Sequence, residues 1–323
     1  MALILAGPKA VPPPAVGPQW AGVTSMTWTV PGVASVDLLD WRADGVMVLR
    51  DGLRGLNMPP VERFTSTSPA VAGSRWRGAQ TRERSVFWPT LVYTDAGSDA
   101  WHEADERLWS TLRPDLVGEW AVVTDRGGER RLRCRWVGDG DHSFPRDPIQ
   151  AGWAIYGVEL VAEDPYWAGE TVVSTWEAGG SAGEPFLPGP PFHVASASTT
   201  DAARLVNPGE LPAHVVWTVT GPCTSAQVGF EVDTDTPDGP TRSVVKVPWP
   251  LADGETVTID TRPHMQTAVA TSAAGAVTDR TGDLGEEAAF APIPPGDGAT
   301  LQLAIDDGGT ITAELEPLYW RAF

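Results

Sequence analysis

Short runs in which apolar and polar residues alternate, broken by Gly, Pro, Asn or Asp, fill most of this chain and predict strands. The clearest is GWAIYGVELVAEDPYW, residues 152–167. In an extended chain Trp153, Ile155 and Val161 point one way and Tyr156, Val158 and Leu160 the other, so both faces are largely apolar. Such a strand belongs inside a sandwich or against another subunit, and the Pro-aromatic stop DPYW ends it. Similar runs cover Val46 to Leu49, Ser85 to Tyr93, Glu119 to Thr124 and Arg131 to Val137. The last two flank DRGGE, whose glycines accept positive φ, so a hairpin is predicted.

One segment has helical period instead. Between Asp99 and Leu112, Trp101, Ala104, Leu108 and Leu112 fall on one face and Pro114 provides the stop. This helix is expected to lie across the sheet. Asp99 and Glu103 complement the dipole of its first turn, and Glu103 with Arg107 forms a four-residue charge pair. Past residue 200 come the strand-like runs HVVWTVTG, AQVGFEVD, TRSVVKVP, ETVTIDT, MQTAVATS, ATLQLAID and TITAELEPLYW, most separated by turn signals, as in a sandwich or jelly roll.

At 323 residues a single core is inefficient, and composition marks where the chain divides. Residues 1–34 read as a Pro/Gly-rich arm, stiffened by PKAVPPPAVGP. Residues 35–176 form a first domain, the aperiodic 177–200 a linker, and 201–323 a second domain. The fold class is mainly β: an N-terminal β-sandwich-like domain with one α-helix, then a β-sandwich.

Charge narrows the function. A net charge of −19 opposes binding of nucleic acid through a basic groove, because phosphate affinity needs Lys and Arg to displace counterions. MALILAG lacks basic residues ahead of its apolar run, so neither a signal peptide nor a spanning helix is expected. Cys134 and Cys223 fall in different domains and make no disulfide framework. The basic residues are 21 Arg and only Lys9 and Lys246, a skew that reflects a high-GC genome rather than folding.

Few residues carry chemistry. Arg131, Arg133 and Arg135 share one face of a strand, either a solvated face or a surface that docks on an acidic neighbour. Cys134, on the opposite face, reads as an inert core thiol. The 15 Trp residues suit core and interface packing better than sugar stacking. Trp217 reads as core, and Trp249, between two prolines, as an exposed platform or subunit anchor. Asp233, Asp235 and Asp238 in DTDTPDG lack EF-hand spacing and read as a turn. His102, His142, His193, His214 and His264 are scattered, and neither HExxH nor GxSxG occurs. No catalytic, metal or cofactor residue is assigned, and no two of the 42 acids stand out as a glycosidase pair.

In succession, RDGLRGLNMPPVERFTSTSPAVAGSRWRGAQTRERSVFWPTLVY, the single helix, RLRCRWV and ELVAEDPYW resemble the N-terminal domain of the distal tail proteins of long-tailed phages. NPGELPAHVVWTVTGPCTSAQVGF, LADGETVTIDTRPHMQTAV and FAPIPPGDGATLQLAIDDGGTITAELEPLYW are similar to the galectin-like C-terminal domain of siphophage tail components. The resemblance implies a ring-forming domain at 35–176 and a galectin-like jelly roll at 201–323. It implies a virion protein of the tail tip, assembled in the host cytoplasm, and the Arg skew suggests an actinobacterial phage. Six copies would form a ring, with neighbours covering open strand edges and Arg131, Arg133, Arg135 and Trp249 as candidate interface residues. The ring would join the tail tube protein to the tip hub, near the tape measure protein and side fibres, and DNA would pass through without specific binding or membrane insertion. The alternatives are a carbohydrate- or receptor-binding adhesin that grips a host-surface glycan, and a polysaccharide-degrading enzyme.

Overall fold

A computed structural model of the protein describes residues 20–140, 144, 147–177, 204–232, 241–306 and 308–323. The Pro-rich segment 8–18, almost all of the expected linker, and Asp233, Asp235 and Asp238 lie outside the described residues. The chain forms two compact units, residues 1–169 with 319–323, and residues 170–318.

The first unit begins with β1 (Val23–Val30) and β2 (Ala34–Asp37), a short α1 (Trp41–Asp44) and β3 (Val46–Val48). A hairpin of β4 (Val61–Ser68) and β5 (Val71–Thr81) follows, then β6 (Arg84–Tyr93), α2 (Ser98–Thr111), β7 (Gly118–Thr124) and β8 (Glu129–Asp139). It continues through α3 (Pro148–Ala151), β9 (Trp153–Ala162) and β10 (Trp167–Ala168). The main sheet runs β2-β1-β7-β8-β9-β6-β3. Its two ends meet, because Val48 N donates to Leu38 O at 2.8 Å just past β2. Strand twist and a bulge between Trp136 and Gly138 thus curl the sheet into a nearly closed barrel.

Tryptophan fills this barrel. Trp28 meets Trp88 edge-on at 5.2 Å, Trp88 meets Trp120 at 5.2 Å, and Trp120 meets Trp167 at 5.0 Å. All four are essentially fully buried. Each indole hides roughly 150–250 Å², worth about 4–6 kcal/mol before the cost of ordering the chain. The predicted helix is α2; it buries Trp101, Ala104 and Leu108 and packs on β2, β3 and β6. Thr111, at its end, accepts the Trp28 indole N–H at 3.0 Å.

Three expectations change. The segment 1–34 is not an arm throughout, since β1 pairs with both β2 and β7 and buries Met26 and Trp28. Arg107 pairs with Asp44 at 2.6 Å, a partner supplied by α1, in place of Glu103. On β9 only the Tyr156, Val158 and Leu160 face is core; Trp153, Ile155 and Val161 are half-buried on the outside.

The second unit is a sandwich. Its strands are β11 (Val172–Glu177), β12 (Arg204–Asn207), β13 (Val215–Thr220), β14 (Ala226–Val232), β15 (Thr241–Val247), β16 (Thr256–Asp260), β17 (Thr267–Thr271), β18 (Val277–Asp279), β19 (Gly296–Leu301), β20 (Ala304–Ile305) and β21 (Thr310–Leu315). One sheet runs β11-β21-β13-β16-β17-β18; the other runs β12-β19-β14-β15, with β20 on β14. Trp217, Val219, Val228, Phe230, Val257, Ile259, Ile311 and Leu315 belong to one core cluster. Strand β11, expected at the end of the first domain, pairs along its length with β21. The last strand, β22 (Leu318–Tyr319), pairs with β10 and starts the return into the first unit.

Candidate assembly interface

The hairpin β4–β5 is a two-stranded sheet on its own, and its residues are exposed on both faces among the described residues. Eleven residues of β5 span about 35 Å. Val61, Phe64, Val71 and Trp76 are 43%, 44%, 69% and 57% exposed. An isolated two-stranded hairpin is at best marginally stable in water, and apolar side chains exposed on one mark a candidate contact surface. The arm is also basic, since Arg63, Arg75 and Arg77 against Glu62 leave it +2 in a chain of −19. Among the described residues these three arginines form no ion pair; Arg77 Nε donates to Ser66 Oγ at 2.9 Å and Arg63 lies 5.8 Å from the centre of the Trp76 ring.

The neck of the arm is built differently. Arg82 N donates to Pro60 O at 2.9 Å, and the Arg82 guanidinium pairs with Glu62. Two residues on, Arg84 is 1% exposed. Its guanidinium donates to Pro165 O at 2.6 Å, Gly55 O at 2.7 Å, Trp320 O at 2.8 Å and Asn57 O. Carbonyl dipoles from three separate segments therefore solvate a buried cation. Burial nonetheless pushes Arg84 down to about 10. Gly55 is required in that loop: its φ is +115°, and a Cβ there would stand 2.8 Å from Val86 Cγ2. The Trp167 indole N–H donates to the same Gly55 carbonyl at 3.3 Å, which ties DPYW to the neck.

On the outer face of β6, β8 and β9 lies an open cleft of about 530 Å³ lined by Glu83, Phe87, Val137, Glu159 and Val161, with Arg54 stacked on Phe87 at 4.9 Å. Val137 is exposed, so this patch combines acidic and apolar character.

The arginine stripe does share one face of β8, but two members have acidic partners in their own chain. Arg131 lies 3.6 Å from Glu129 and 3.9 Å from Glu119, and Arg135 lies 3.2 Å from Glu163. Arg133 is exposed. Trp249 is not an exposed platform; it is half-buried against the core of the second unit, with Arg280 5.7 Å from its ring centre. Cys134 is buried, and that burial holds its thiol pKa far above the usual value. Among the described residues no group of three His, Cys, Asp or Glu could hold a metal ion. Sequence reasoning missed Arg84 and the bare arm. Arg84, directly before the apolar run SVFWPTLVY, was the available signal for the first, and PP before VERF for the second.

A near-barrel with one covering helix and an unsupported hairpin, followed in sequence by an antiparallel sandwich, defines the class: a two-unit, mainly β protein, whose fold is shared by solved phage tail proteins. Among solved structures, the Dit protein of phage SPP1, described as a paradigm of the hub adsorption apparatus of phages infecting Gram-positive bacteria, matches with a TM-score of 0.58 and 15% identity over 90% of this chain and 98% of that one. The phage P2 baseplate in its activated conformation matches with a TM-score of 0.51 and 9% identity, both with Ca (90% and 98% covered) and with Sr (90% and 97%). No family model and no curated protein matches the sequence.

Proposed function

We propose that this protein is a non-catalytic structural component of a phage tail tip, whose copies close head-to-tail into a hexameric ring between the tail tube and the tip hub. The observation that carries this reading is the bare arm. A ring by rotation needs two different, complementary patches on each copy. The arm offers Phe64 and Trp76 among unpaired arginines; the cleft on β6, β8 and β9 offers Phe87, Val137 and Val161 beside Glu83 and Glu159. Apolar groups meet apolar groups there and cations meet carboxylates. The likeness to the SPP1 hub protein supports the same reading. With −19 on each copy, the channel is neutral to acidic, so DNA slides through without being held.

Negative-stain images and mass photometry of the purified protein test this. Annuli of six subunits are expected, and Phe64→Ser with Trp76→Ser should leave monomers. A wild-type protein that stays monomeric at high micromolar concentration and within the tail, or a ring lumen lined by arginines, overturns it.

A further inference from the structure

Residues 319–323 follow the whole second unit in sequence, yet they complete the first. Ala322 is 2% exposed within the barrel core, and its N–H donates to Leu56 O at 2.9 Å. Trp320 O accepts from Arg84, and its indole meets Tyr166 edge-on at 5.4 Å. Arg130 donates to Arg321 O at 2.7 Å and stacks on the Tyr319 ring at 3.8 Å. Every one of these partners belongs to the first unit.

Two of those bonds bear on the neck of the arm. Leu56 lies in the loop that leads into β4, and Arg84 stands three residues past the end of β5. Arg84 bonds Gly55 and Asn57 on the entering side of the neck and Trp320 of the returning segment. The returning segment therefore braces both sides of the neck: one side through Leu56, the other through Arg84.

We propose that residues 319–323, acting through Arg84 and Leu56, are the positioning element that sets the direction of the β4–β5 arm. Self-association is thereby withheld until the second unit has been synthesised. This rests on the reading of the arm as the contact between copies. Closure by repeated rotation needs one fixed angle between subunits, and an arm on a loose neck supplies a range of angles. The bracing residues leave the ribosome only after residues 170–318. Until then a basic, apolar hairpin with open edges is present but unaimed, so growing chains do not lock to each other through it.

The test uses the full chain with Ala322→Glu, which cannot seat in the core, and Arg130→Ala, which removes one tether only. Hydrogen exchange of the β4, β5 and Leu53–Met58 amides is read at a dilution where the protein is monomeric, with β7 and β13 amides as controls. Ring yield is read separately by mass photometry. Exchange of the neck and arm in Ala322→Glu should rise at least ten-fold with β7 and β13 protection kept, and rings should disappear; Arg130→Ala should fall between. Wild-type exchange at the neck in Ala322→Glu overturns the positioning role, and wild-type ring yield with a loosened neck overturns the delay of assembly. If Ala322→Glu also unprotects β7, Arg130→Ala decides, and unchanged neck exchange there overturns the proposal. Phe64→Ser with Trp76→Ser keeps the two readings apart: rings in that variant sink the arm contact, while the exchange result still reports on the neck.

Discussion

Gly118→Ala is a sharp test of the barrel core. Gly118 opens β7, and a Cβ there would stand 2.1 Å from Cζ2 and 2.2 Å from Cη2 of Trp28. Carbon atoms rest at about 3.5–4.0 Å, so the indole must move by about 1.5 Å. Trp28 cannot yield freely: its N–H is held by Thr111 and its ring by Trp88. The shift forfeits about 1 kcal/mol of hydrogen bond and about 0.5–1.5 kcal/mol of edge-to-face contact, and overpacking adds about 1–3 kcal/mol. Together these give about 3–5 kcal/mol. For a unit of this size each kcal/mol is about 2–4 °C, so its calorimetric transition should fall by roughly 6–20 °C.

The sign discriminates, because Gly118 is not among the positive-φ glycines. A β-compatible Gly→Ala change with room to spare stabilises by about 0.4–1 kcal/mol through the unfolded chain. Trp28→Phe trims the atoms that collide, so it should recover more than about 1 kcal/mol in the Gly118→Ala background while costing stability alone. An unchanged or raised transition temperature in Gly118→Ala, or additive effects in the double variant, refutes the close approach of Trp28 to β7.

Arg84→Lys keeps the charge but replaces a fork that reaches three segments with a single ammonium; a loss of about 2–4 kcal/mol is expected by urea unfolding, and an unmoved midpoint rejects the clamp. In the second unit burial works to raise the Asp260 pKa, but hydrogen bonds from Arg262 outweigh it and hold the carboxyl below its usual range. Its contribution is therefore fully present above pH of about 4 and lost as pH falls through the lower folded value, so Asp260→Asn should flatten the acid limb of the stability curve, and an identical limb counts against the pair. Cys134, whose thiol burial pushes far up, should resist maleimide at pH 8 until denaturant is added; rapid labelling of the native protein contradicts its place in the core. Because β10 and β22 pair, replacing residues 170–318 by a linker of about five residues should leave a folded first unit with native Trp fluorescence, and a molten product would show that the second unit holds the first together.

How far the sequence could be read depended on how local each cause is. Helix α2 was legible because Trp101, Ala104, Leu108 and Leu112 repeat within fourteen residues and need no distant partner to show their face. The β7–β8 hairpin was legible for the same reason, with Gly127 and Gly128 at φ of 81° and 83° in its turn. Strand β1 was hidden because VTSMTWTV carries Ser and Thr at positions that face outward, and the Pro-rich residues before it dominate the local composition. Strand β11 went to the wrong side of the division because its partner, β21, lies more than a hundred residues later. Arg84 could not be read as a clamp, since its acceptors are backbone carbonyls, which every residue has and no sequence distinguishes.

The same topology bears on the proposed contact between copies. Open strand edges, covered by neighbours, are the expected means of association. The bond from Val48 to Leu38 brings the two ends of the N-terminal sheet together at one point, and short end strands that meet offer little unpaired backbone to another chain. Within the described part of the first unit, long unpaired edges remain on β4 and β5, outside the barrel and beside Phe64 and Trp76. In the reading proposed above, a nearly closed barrel that carries unmet hydrogen bonds beside the exposed Phe64 and Trp76 on one arm would associate through that arm. On that reading the near-closure of the barrel would limit sheet growth at its ends, and the bare arm would leave a contact that a braced neck can aim.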